Sequence, residues 1–159
     1  MYSVRDKRAV RHRGLLMLLL FGLLTGALSG VILGLVMKLL GQLTGTGVYV
    51  LLLNVDFIGW LPSIRSELFE FLLHLSAALP LGILFLVLLS IWSSPLRLGL
   101  GMGAAIACCT WIPLTQLSER TPSMLDWSAF MMWVSGHLIY GSVLAALGYV
   151  WMTRGWDKE

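Results

Sequence analysis

Charged side chains are scarce. Asp, Glu, Lys and Arg make up 12% of the 159 residues, where a soluble domain carries about a quarter. So few charges exclude a soluble globular domain. Cysteine is nearly absent, and Cys108 and Cys109 are neighbours, which on a helix point about 100° apart and form no ordinary bridge. A disulfide scaffold is thereby excluded, no redox compartment follows, and the pair reads as small buried apolar residues. The sequence also lacks a His-Glu-x-x-His pair, spaced metal-binding cysteines, a Gly-x-Ser-x-Gly turn, and a glycine-rich phosphate loop outside an apolar segment. We therefore assign no catalytic residue, no metal and no cofactor, and rank an enzyme last.

What is present is apolar. Hydrophobic residues make up 58% of the chain and the mean hydropathy is +0.86, too high for disorder. The expected class is a small multi-pass membrane protein. The net charge of +3 and pI near 9.1 do not signal nucleic acid. Five of the eleven Lys and Arg (Arg5, Lys7, Arg8, Arg11 and Arg13) precede the first apolar run, which is a topological placement that also attracts anionic lipid.

Four uncharged stretches reach the roughly 20 residues that a helix needs to cross a bilayer with its backbone groups paired. They predict an all-α, four-transmembrane-helix bundle over 15–153, with helices near 15–38, 67–92, 97–118 and 126–152, a basic amino terminus (1–14) and a tail (154–159). Ala27-Leu28-Ser29 resembles a signal cleavage site, but the apolar run continues to Met37, so the first helix is read as uncleaved. Ser93-Ser94-Pro95 predicts a tight turn, and Thr121-Pro122-Ser123 the start of the last helix, with Ser123 and Asp126 spaced as a capping box. The apolar stretch 48–62 is too short to span. Asn54, Asp56 and Gly59 interrupt it, which predicts an interfacial or re-entrant segment.

Eight Lys and Arg fall on the side of the two termini and the Arg97 turn, against Lys38, Arg65 and Arg120 on the other. The positive-inside rule then puts both termini in the cytoplasm. Trp60 and Trp127 are expected at the outer interface and Trp92, Trp151 and Trp156 at the inner one, while Trp111 and Trp133 lie deeper, between helices or facing lipid.

Gly22, Gly26, Gly30 and Gly34 recur every fourth position of the first helix, with shorter counterparts in Gly99, Gly103 and Ala107 and in Gly141 and Ala145. Such strips let a partner backbone approach closely, and we expect that partner within the same chain. Glu67, Glu70 and His74 share one face of the second helix, and His137 lies near mid-span in the last helix. With Gln116 they form a candidate polar cluster in the outer half. Its sharp reading is a proton-responsive or ion-binding site. The favoured reading pairs Glu67 and Glu70 with Lys38 or Arg65 and lets the histidines bridge helices by hydrogen bonds. Pro80 and Pro113 invite kinks, which can open cavities.

The Gly22 to Gly34 strip, the Glu70 to His74 face and Ser135-Gly136-His137-Leu138-Ile139-Tyr140-Gly141 resemble small conserved bacterial inner-membrane proteins of unassigned function. The resemblance implies a bacterial inner-membrane location and no catalytic residues. The leading functional reading is a non-enzymatic packing or assembly component, in contact with the bilayer and open to homo-oligomerisation or a larger membrane assembly, with no nucleic acid. The second is a small transporter, channel or pH-responsive protein using Glu70, His74 and His137.

Overall fold

The computed structural model describes residues 4–154 other than 57 and 62–65, with side chains from residue 14 onward. Arg65, Trp156, Lys158 and the side chains of the basic amino-terminal run lie outside that set. Five helices follow in order: α1 (Val4–Thr44), α2 (Val48–Leu52), α3 (Glu67–Trp92), α4 (Pro95–Gln116) and α5 (Trp127–Arg154). All but α2 are long and apolar enough to cross a membrane. The protein is an all-α integral membrane protein with four candidate spans.

Helix ends follow local chemistry. α1 extends at both ends beyond the apolar run, because Lys, Arg and Leu are good helix formers. It stops where Gly45 takes φ +71° and its N–H donates to the Gly41 carbonyl at 2.9 Å, a left-handed cap that costs glycine little. Ser66 opens α3, its hydroxyl accepting from the Phe69 N–H at 3.2 Å, with Glu67 and Glu70 in the first turn complementing the helix dipole. α3 closes on Ser93, and Pro95 at the first position of α4 makes the turn abrupt.

The start of α5 corrects the expected capping box. Asp126, not Ser123, is the cap: its carboxylate accepts from the Ala129 N–H at 3.0 Å and the Ser128 hydroxyl at 2.7 Å. Ser123 instead accepts from Leu125 within the preceding turn. A carboxylate one residue before the helix reaches its orphan N–H groups directly, and the three-residue spacing alone does not say which end is the cap. These donors hold the Asp126 carboxyl below its ordinary value. Because the folded value is depressed, its stabilisation is present at neutral pH and is lost as pH falls through the carboxyl range, below about 4. Thermal melts of Asp126→Ala should therefore show a lower midpoint than the parent at neutral pH, with the gap closing on acidification; equal midpoints at neutral pH would remove the cap from the account.

α1 packs chiefly on α3 and α4 on α5, α1 also contacts α5, and α3 and α4 touch little despite being consecutive. Glycine makes both seams. A Cβ on Gly26 would run into the backbone of Ala78 and Leu79, and one on Gly82 into the backbone of Gly22 and Gly26. Gly30 lies against Ala78 and Leu75, and Gly34 against the Phe71 ring. On the other seam, Gly99 faces the Gly141 carbonyl and Gly103 the His137 carbonyl. These helices approach to backbone contact, the arrangement that replaces a hydrophobic drive that lipid cannot supply.

Aromatic side chains fill the space that the glycines do not. Trp133 is 1% exposed and its indole N–H donates to the Ala107 carbonyl at 3.1 Å, tying α5 to α4. Trp111 meets Phe130 edge-on and Trp133 at a tilt, and donates to the Met124 carbonyl at 3.1 Å. Trp60, Trp92 and Trp127 are exposed, but Trp151 is buried, with its ring 5.3 Å from that of Phe21. Its ring therefore packs within the bundle near the end of α5 and does not point outward as Trp92 does, since a terminal position along a helix does not say which face a residue occupies. Cys108 and Cys109 likewise prove exposed. The strip of Gly99, Gly103 and Ala107 takes the packed face of α4, and the two residues after it turn outward.

The connection between α1 and α3 dips into the bundle. Val48, Leu51, Leu53, Asn54 and Val55 are all buried, so α2 and the residues as far as Val55 pack into the bundle, while Gly59 and Trp60 are exposed.

Candidate functional site

Two helix pairs with little contact between α3 and α4 leave a gap, and the segment after α2 closes one end of it. The resulting cavity of about 400 Å³ takes its walls from α3, α4, α5 and Leu33 of α1, and its cap from Leu52, Asn54, Val55 and Ile58. Its surface is mainly aliphatic, and Asp, Glu, Lys and Arg are absent from the described lining. Ser76 and Ala77 at the rim are exposed. Both lie on α3, which is long and apolar enough to cross a membrane. Pro80, which has no N–H to give the Ser76 carbonyl one turn back, lies just beyond that rim.

Six polar side chains interrupt the apolar wall, of which Ser76 and Thr110 donate to carbonyls of their own helices, Leu73 at 2.6 Å and Ile106 at 2.6 Å. His74 Nε2 lies 3.2 Å from the Gly30 carbonyl and so bridges α3 to α1. His137 Nδ1 lies 2.8 Å from the Trp133 carbonyl of its own helix. Asn54 is held at both ends: its amide N–H reaches the Leu114 carbonyl at 3.4 Å, satisfying an acceptor at the end of α4, and its oxygen accepts from the Asp56 N–H at 3.0 Å. Tyr140 is 2% exposed, and its hydroxyl is buried without a hydrogen-bond partner. The Ser29 hydroxyl beside it directs its proton to the Thr25 carbonyl at 2.6 Å, and its contact with Tyr140 falls outside hydrogen-bond geometry.

The carboxylates expected to join the histidines are engaged elsewhere. Glu67 pairs with Lys38 and accepts from the Tyr49 hydroxyl at 2.9 Å. Burial, followed by that hydrogen bond to a carboxylate, pushes the Tyr49 phenol up to about 12. Glu70 lies 3.5 Å from the Arg120 guanidinium. Arg120 also binds Asp56 through two nitrogens, at 2.9 and 3.1 Å, and the Ser118 hydroxyl donates to the same carboxylate at 2.6 Å. The paired Asp56 raises the Arg120 guanidinium still further above its usual value, so it stays charged. This network ties the segment after α2 to the ends of α3 and α4. Gln116 is outside the cavity, its amide against Met124 sulfur at 3.5 Å.

The five expected polar residues thus divide: His74 and His137 line one cavity, Glu67 and Glu70 belong to ion pairs at the bundle end, and Gln116 joins neither. Asn54 and Tyr140 were not singled out from the sequence. Tyr140 carried a signal, lying three residues after His137 and therefore on the same side of α5. Asn54 stands out in the sequence only as a polar interruption of the 48–62 stretch, because an irregular segment has no periodicity to say where its side chain points. Among the described residues no group of three His, Cys, Asp or Glu is placed to hold a metal ion. No family model matches the chain, and neither a curated protein nor a solved structure matches it.

Proposed function

We propose that this integral membrane protein binds an apolar molecule drawn from the bilayer into the cavity between α3 and α4. One observation carries the reading: a largely aliphatic cavity lies among the candidate spans with two exposed residues, Ser76 and Ala77, in its wall, and we take that exposed stretch as its opening toward lipid. Burying apolar surface gains little when lipid is the alternative, so selectivity there rests on shape and on the few polar groups in the wall. A role as a packing or assembly component would use surfaces other than the glycine strips, which meet partners inside the chain as expected. An ion-conducting or pH-responsive role retains the two histidines but not Glu70, whose pairing with Arg120 lies outside the cavity wall. The charge distribution and the resemblance to bacterial inner-membrane proteins support an inner-membrane location with both termini cytoplasmic.

In phosphatidylcholine nanodiscs carrying the protein, labelled dodecane should accumulate beyond its level in protein-free discs. Ala77→Phe, which places a ring at the rim, should remove that excess without lowering the melting temperature. No excess with the parent protein would end the reading, and pH-dependent ion flux into proteoliposomes, lost on His137→Gln, would replace it with the conducting one.

A further inference from the structure

We infer that the cavity has a second entrance, at the bundle end where α1 and α4 finish and α3 begins. The strap of residues 53–56 closes it against water there, and the Asp56 carboxylate holds the strap in place. The inference concerns access to the cavity and stands whatever molecule the cavity takes.

The strap is a plug by position. Leu53, Asn54 and Val55 are buried, and Asn54 and Val55 line the cavity. Its backbone bonds stay local: the Leu53 N–H donates to the Tyr49 carbonyl at 3.1 Å and the Asn54 N–H to the Leu51 carbonyl at 3.2 Å. Among the described residues no backbone hydrogen bond joins it to α3, α4 or α5. Its polar ties to those helices therefore run through side chains.

Those ties are unequal. The Asn54 amide reaches the Leu114 carbonyl only at 3.4 Å, a long bond. Asp56 makes the strong ones, accepting from Arg120 at 2.9 and 3.1 Å and from the Ser118 hydroxyl at 2.6 Å. Bonds to a carboxylate are about twice as strong as those between neutral groups. Arg120 in turn lies 3.5 Å from Glu70, so one carboxylate fastens the strap to the turn after α4 and, through Arg120, to the first turn of α3. The Arg120 side chain is 53% exposed, whereas the strap residues before Asp56 are buried. The fastening thus sits at the water's edge and what it holds lies beneath. Both glycine seams are built from other residues, so the strap can lift by local opening without parting the helices. Burial of Leu53 and Val55 still favours the closed state, and loss of the carboxylate raises the open population.

The test measures how fast a reagent confined to water reaches the cavity. Cys108 and Cys109, both exposed, are replaced by Ala, and Thr110→Cys then puts a single thiol in the cavity wall. In phosphatidylcholine nanodiscs that thiol should react slowly with the cationic reagent 2-(trimethylammonium)ethyl methanethiosulfonate. Adding Asp56→Ala should speed the reaction about tenfold. Ser29→Cys, made instead of Thr110→Cys at a buried position outside the cavity lining, should stay unreactive with and without Asp56→Ala. If Asp56→Ala is not recovered folded, Asp56→Asn, which keeps the shape and removes the charge, is read in the same way. An unchanged rate at Thr110→Cys would overturn the inference, as would a rate already fast with Asp56 in place. Equal acceleration at Ser29→Cys would mark a general loosening of the bundle and overturn it too. Each of these failures leaves the binding of dodecane from the bilayer, measured separately, as it stands.

Discussion

Gly82→Leu should yield little or no folded protein, whereas Gly101→Leu should fold as the parent does. Both replace a glycine within a span by a better helix former, which by intrinsic preference favours the helix by about 1 kcal/mol. What differs is the opposite wall. Even one carbon on Gly82 would occupy the space of the Gly22 carbonyl and the Gly26 backbone, whereas a Cβ on Gly101 meets nothing within 4 Å. Backbone cannot rotate aside as a side chain does, so α1 and α3 would have to separate, at a cost of about 3 kcal/mol or more. That separation would also uncover Gly30 and its carbonyl, the partner of His74. Size-exclusion recovery in detergent and the melting temperature distinguish the two variants, and a well-folded Gly82→Leu would contradict the seam.

The second large effect is expected at Trp133. Its ring is almost fully buried, lies 4.4 Å from the His137 ring and 6.4 Å from that of Trp111, and carries the indole bond to α4. Trp133→Ala should lower stability by about 3 to 5 kcal/mol, the range for removing a buried aromatic side chain. Because Trp133 also lines the cavity, the variant should admit bulkier apolar probes than the parent if the folded fraction is recovered. Trp133→Phe keeps much of the packing and loses the indole donor, leaving the Ala107 carbonyl without that bond, and should fall between the two. A Trp133→Ala protein as stable as the parent would mean that this ring does not hold α4 and α5 together.

Much of the architecture was legible because bilayer thickness and backbone pairing act on long stretches of sequence. The four spans follow from uncharged length alone, and the glycines of α1 had to share a face because their spacing matches the helical repeat. The periodicity named the face of α1 but not its partner: that the seam lies on α3, with Gly82 completing it, depends on which helices pair in space. The same gap in information divided the polar cluster. Positions in the same half of two helices allowed Glu70, His74 and His137 to meet, but helix rotation and the position of Arg120 decide that Glu70 turns to the bundle end and the histidines to the cavity. Cys108 and Cys109 show the limit from the other side, because small apolar residues fit a packed seam and a lipid-facing surface equally well. Asn54 became visible only once the short segment was seen tucked inside the helix ring.

Photolabelling with a chain-borne diazirine in a bilayer reads out whether the glycine-seamed helix pairs leave a lipid-accessible cavity inside the spans. Labelled peptides should include inward residues that border the cavity, Leu81 of α3 and Ile106 and Thr110 of α4, alongside the outward-facing leucines, and Ala77→Phe should abolish the inward set alone. Adducts confined to exposed side chains such as Leu72, Leu84 and Ile112, unchanged by Ala77→Phe, would contradict the account.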